Sequence, residues 1–258
     1  PDGFKWLKHD GERSMGVDRR YGAEADPTPY GWELNNKAGF NPTRLHQKLM
    51  DHPDYRMAWA DFVRKAMLDE DGALSVSQSL ERWNRRQTEL DTAIIMESAR
   101  WGHGCTRQTW LEECDYVKTE FIPKSGGYLL EYMRDRGWFP KVDAPVILDR
   151  RTTEEGSIIL MVEGQAPVYY MTNGEDPRLP GGDINPLAQK VEADCRDGEV
   201  STWELEVPKG SFVHLRSLDG EEWSAVRSVD ERIWASYDDL RITEMMYAAK
   251  VPDWAAEE

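Results

Sequence analysis

From Asn41 to about Gly137, apolar side chains recur every three or four positions, the spacing of amphipathic helices, and nearly every run opens on a capping residue. Asn41-Pro42 places a cap before a proline at the first helical position and predicts a short helix with Leu45 and Leu49 on one face. His52-Pro53 restarts the pattern, and Tyr55, Trp59, Phe62, Val63, Ala66 and Met67 form a face that must be buried before Asp71-Gly72 stops it. Ser75 caps a long helix. Its stripe is Val76, Leu80, Trp83, Gln87, Leu90, Ile94 and Glu97, with Glu81, Arg85, Arg86 and Glu89 on the other side. Thr106 caps a helix carrying Trp110, Cys114, Val117 and Phe121. Ser125 starts another with Tyr128, Leu129, Tyr132 and Met133, closed by Gly137.

After Pro140 the period changes. Pro145–Leu148, Ser157–Val162 and Val168–Met171 are short apolar or alternating runs, and Trp203–Val207, Ser211–Arg216 and Trp223–Arg227 add three more, split by Lys209-Gly210 and Asp219-Gly220 turns. About seven strands over roughly 90 residues fit a β-sandwich. Trp203, Trp223 and Trp234 suit its core better than a sugar-stacking face. Leu240–Tyr247 reads as one more strand, too little to form a domain by itself.

Charge narrows the partners. The 258 residues hold 48 Asp and Glu against 32 Lys and Arg, a net charge of −16 with a pI near 4.8. That balance argues against nucleic acid or an anionic membrane surface and favours cations or basic groups. A mean hydropathy of −0.71 fits a polar-surfaced globular chain, and no apolar run approaches the roughly 20 residues of a membrane span. The chain opens on Pro1 without a signal segment, so its natural start is expected to be missing. Cys105, Cys114 and Cys195 are too few for a disulfide scaffold or a zinc site; Cys105 and Cys114 either bridge or stay free.

No phosphate loop, zinc helix or nucleophile elbow is present in the sequence. The densest polar cluster is Lys8–Arg13, following the apolar Phe4, Trp6 and Leu7. Asp10 therefore stands at a strand end, where a carboxylate can hold a hard cation such as Mg²⁺ and Glu12 can assist. The competing reading is an Asp-Gly turn that caps its own backbone. Glu97, on an apolar stripe, calls for an arginine partner. The Asp176–Asp183 loop reads as a rigid turn rather than a Ca²⁺ site.

Several stretches in order resemble the CotH kinases, spore-coat-protein-H-like proteins with an atypical protein-kinase fold. Phe4–Gly16 is similar to the family's strand and metal-binding loop. Leu45–Leu49, Pro53–Arg56, Ala60–Val63, Asp71–Leu74 and Glu97–Gly102 are similar to its C-terminal helical region. Val168–Arg178 resembles the tyrosine-tyrosine hairpin of chitobiase C-terminal, fibronectin-III-like modules, and Leu240–Tyr247 resembles the first strand of a lamin-tail domain. The resemblance implies an α+β multidomain chain: a helical C-lobe of an atypical protein-kinase-like fold at 1–140, an all-β Ig/fibronectin-III-like sandwich at 141–235, and the start of a lamin-tail domain at 236–258. It implies transfer of phosphate from ATP to Ser or Thr hydroxyls of a protein substrate, with Asp10 and Glu12 toward Mg²⁺. The nucleotide-gripping and catalytic groups are expected upstream of Pro1, so the chain alone should be inactive. The expected location is extracellular or on a bacterial cell surface. The alternative is a non-catalytic adhesion protein whose sandwich binds glycan or acts as a spacer.

Overall fold

The computed structural model describes residues 15, 22–28, 42–102, 106–191 and 200–232. Within these, helices fill the first half and antiparallel sheets the second. The helices are α1 (Pro42–Leu49), α2 (Pro53–Val63), α3 (Val76–Trp101), α4 (Arg107–Tyr116) and α5 (Ile122–Asp135). Three caps act where the sequence puts them, and Asn41, the cap expected for α1, lies outside the described residues. The His52 ring accepts from the Asp54 N–H, Ser75 Oγ from Gln78 and Thr106 Oγ1 from Thr109.

Two helices continue through a wider π turn, α2 into Arg64–Leu68 and α4 into Val117–Phe121. The second turn leads straight into α5, so the break expected at Ser125 does not occur. In a regular helix the Pro123 ring would collide with a carbonyl of the preceding turn; here the Ile122 N–H reaches back five residues to Val117 and the ladder is already widened. Gly137, at φ 68°, ends α5 as predicted. The Gly137 N–H bonds Arg134 at 3.0 Å and the Trp138 N–H bonds Met133 at 2.8 Å, the paired bonds of a Schellman cap. That turn drives Phe139 back toward the core.

The helix faces are less buried than their periodicity implies. Val63 and Ala66 are buried, but Phe62 is 61% exposed. None of α3 is buried: Leu90 is 49% and Met96 75% exposed, and Glu97 faces solvent. At about 1.5 Å per residue this helix is about 39 Å long, and its neighbours α4 and α5 cover only one flank. Among the described residues no ion pair engages Glu97, so its expected arginine partner is not found.

The β half comprises β1 (Val146–Thr152), β2 (Ile158–Gly164), β3 (Val168–Met171), β4 (Gln189–Val191), β5 (Ser201–Val207), β6 (Phe212–Asp219), β7 (Glu222–Trp223) and β8 (Arg227–Asp230). One sheet runs β1-β2-β5. The other runs β4-β3-β6-β7, with β8 also on β6. Alternate residues of β2, β3, β5 and β6 meet in one cluster of Ile158, Leu160, Val162, Val168, Leu205, Val207, Val213 and Leu215, so the inner faces of both sheets share a core. β4 escaped prediction because it carries a single apolar residue, Val191.

The strand expected at Trp223–Arg227 is broken. Ser224 turns its hydroxyl to the Ser217 N–H at 2.9 Å, Ala225 packs into the helical half, and the Val226 N–H donates to Asp61 of α2 at 2.7 Å. This break is where the two halves join. Ala60, Val63, Met133 and Phe139 from the helical side close a second core around Ala225. The expected lamin-tail strand, Leu240–Tyr247, lies outside the described residues.

Candidate functional site: the junction between helices and sheets

Strand β6 buries side chains on both of its faces. Val213, Leu215 and Ser217 point to the sheet core, while His214 and Arg216 on the opposite face lie under α2. Arg216 is 1% exposed. An arginine in that place is tolerable only if every N–H finds an acceptor. Its Nε and Nη2 grip Asp176 at 2.7 and 2.6 Å, and its Nη1 and Nη2 grip Asp61 at 2.8 and 2.7 Å. Nη1 also donates to the Ser224 carbonyl at 2.9 Å. Burial works against the guanidinium charge, but the bonds from Asp176 and Asp61 outweigh it and hold its pKa above the ordinary value. Asp176 is the mirror case: burial opposes ionisation, and Arg216 nevertheless pulls the carboxyl below the usual range.

Two further pairs flank this one. Arg178 Nη2 reaches Asp54 at 2.7 Å, and the Gly181 N–H adds a bond at 3.0 Å; together, backbone first, they lower the Asp54 pKa. On the other side, Arg64 and Arg227 share Asp69, Arg64 at 2.6 Å. The Trp223 indole N–H donates to the Gly182 carbonyl at 2.6 Å and fastens the Asp176–Asp183 loop to the sheet. The β side thus contributes Arg178, Arg216 and Arg227, and the helical side Asp54, Asp61 and Asp69.

The chemistry of this arrangement is clamping. Arg216 has no donor left for a substrate, and Asp61 and Asp176 are neutralised from both edges. Asp176 is therefore no open cation ligand, and the rigid-turn reading of its loop stands. Among the described residues, no group of three or more His, Cys, Asp or Glu gathers as a metal site. A cleft of about 420 Å³ opens beside the clamp, lined by Arg56, Arg134, Lys141, Glu221, Glu222 and Trp138 among others. Arg56 is spent on the Met50 and Asp51 carbonyls and Arg134 on Asp143.

Asp10 and Glu12 lie outside the described residues, as do Cys105, Cys195 and Trp234. Cys114 is buried and free, and burial pushes its thiol pKa up. Trp223 is 3% exposed and offers no ring to a sugar, while Trp203 is partly buried against the sheet core. Arg216 itself was hidden in the sequence, where it reads as the polar side of an alternating strand. The available signal was Asp176, a carboxylate held next to a proline with no obvious partner.

Two half-buried histidines give the molecule a pH dependence. His46 sits among the rings of Tyr55, Trp59 and Trp138. His214 lies beside the clamp with its Nδ1 buried and unbonded. Burial lowers both pKa values, for His214 against the opposing pull of Asp176, the Glu175 carbonyl and Asp61, and with Arg216 adding to the lowering. Below about pH 6.5 the unfolded chain binds protons that the folded one refuses, so stability falls as pH drops from there toward the folded-state values. Thermal melts from pH 7.5 to 5 should show a declining Tm, with a shallower slope in His214→Gln. A flat profile would mean that both rings protonate freely in the native state.

Compared with known proteins, the chain matches no family model, and no curated protein or solved structure is significantly similar to it.

Proposed function

We propose that this chain is the C-terminal part of a secreted CotH-like atypical protein kinase, in which a fibronectin-III-like module is fixed to the helical lobe as a rigid arm. The observation that carries this reading is the junction itself. Asp54 and Asp61 come from two stretches that resemble the kinase's helical region, and Asp176 and Arg178 come from the stretch that resembles the tyrosine-tyrosine hairpin. Asp54 and Asp61 bind the helical half to Arg178 and Arg216 of the other, and Asp176 braces Arg216 from within the β half. The sheets support the module at the level of a sandwich: β1-β2-β5 form one and β4-β3-β6-β7 with β8 the other, both antiparallel and sharing one core.

In this reading Asp10 and Glu12 would hold Mg²⁺, which would supply positive charge against the phosphates of ATP for transfer to a protein Ser or Thr hydroxyl. Their two carboxylates are hard oxygen donors of the kind Mg²⁺ takes. The described residues contribute support and orientation, because their charged groups at the junction are already paired. The test is phosphate transfer from ATP to Ser/Thr proteins by the full-length gene product. Mg²⁺-dependent transfer that falls more than about 100-fold in Asp10→Ala is expected. Equal turnover by both proteins would remove Asp10 from the metal role, and none by either would favour the non-catalytic adhesion or spacer reading. The buried Trp223 already weighs against glycan stacking on that ring.

A further inference from the structure

A cavity of about 820 Å³ opens in the helical half, with no strand residue in its described lining. Its walls come from α3 (Val76, Trp83), the end of the first π turn (Met67, Leu68) and the start of α5 (Ile122, Leu129), closed on one side by the 22–27 segment. The size is that of a small-molecule site, for which about 300–1,000 Å³ is usual. The chain carries 48 acidic residues, yet the described lining holds no Asp or Glu and two arginines, Arg82 and Arg86. Both stand on α3, one turn apart. Among the described residues, Arg82 donates to neutral acceptors, the Ala73 carbonyl and the Ser79 hydroxyl, and Arg86 to the exposed Glu89.

The floor is open for a reason visible in the sequence. Gly126 and Gly127 follow one another in α5, where glycine costs helix stability of about 0.5–1 kcal/mol relative to alanine. A Cβ on Gly127 would meet no atom within 4 Å, so packing between helices does not demand the missing side chain. Leu68 and Leu74, at 47% and 60% exposed, are left bare at the edge.

We infer that this cavity binds a free long-chain carboxylate, with its hydrocarbon tail between α3 and α5 and its head group at Arg82 and Arg86. Apolar walls supply the driving force and the two guanidiniums select the anionic head over a neutral or cationic one. The site is independent of phosphoryl transfer.

Calorimetric titration with dodecanoate below its micellar concentration tests this, with dodecanol and dodecyltrimethylammonium as neutral and cationic comparisons. Saturable one-to-one binding of dodecanoate is expected, weakened at least about tenfold in the double variant Arg82→Gln/Arg86→Gln and for dodecanol in the native protein. Gly127→Leu should abolish it by filling the floor, while circular dichroism shows the helices intact. Binding that survives Gly127→Leu in a folded protein overturns the location. Equal affinity for dodecyltrimethylammonium overturns the role of the arginines, and absence of saturable binding or a dimer that buries the groove overturns the site.

Discussion

Replacing Arg216 with methionine will destabilise the protein by about 3–5 kcal/mol, because removing one member of a buried ion pair strands the others. Asp61 and Asp176 would both be left without the fork that neutralises them, and the Ser224 carbonyl would lose its donor. Their side chains keep 23% and 39% exposure, so water can reach them in part; that places the loss near the lower end, about 3 kcal/mol. Lysine should recover little. An ammonium is a point charge and cannot present two parallel N–H bonds to each of two carboxylates. Urea unfolding followed by tryptophan fluorescence measures the difference. A loss under about 1 kcal/mol would put the clamp in the class of exposed surface pairs.

Phe139→Ala should cost about 3–5 kcal/mol through a different mechanism, an unfilled cavity. Phe139 is 5% exposed and sits with Met133, Ala60, Val63 and Ala225, residues from both halves. Leu160→Ala, at 0% exposure in the sheet core, is the comparison, at about 2–5 kcal/mol. The two differ in what they loosen. Hydrogen exchange should rise on both sides of the junction in Phe139→Ala and mainly within the sheets in Leu160→Ala. If Phe139→Ala leaves the sheet amides as protected as before, the halves do not stabilise each other through this contact.

The helical elements were legible because caps are local. Ser75, Thr106 and Gly137 act through bonds to residues two to four positions away, and the sequence contains both partners. The strands were legible through period two, with β4 lost for want of apolar residues. What the sequence could not carry was the second face of β6. Alternation along Phe212–Arg216 specifies that one face is apolar, and it is silent on whether the polar face meets water or another element. The same limit applied to α3, whose stripe predicts a partner but not how much of about 39 Å the partner covers. Asp10 and Glu12, the residues on which the chemistry rests, lie outside the described residues.

The two π turns also set the angular frame of the helix each belongs to, and the second, running straight into α5, sets that of α5. Each holds one residue more than the helix needs, and one residue turns a helix by about 100°. Met133, buried in the junction, faces inward only because the Val117–Phe121 turn has already made that correction. A deletion of Lys118, whose side chain is 27% exposed and takes no part in the clamp, would restore a regular ladder and rotate Leu129, Leu130 and Met133 away from the core they fill. Indels in this short stretch are thus far costlier than substitutions at its exposed Thr119, whereas Val117, 1% exposed, tolerates neither.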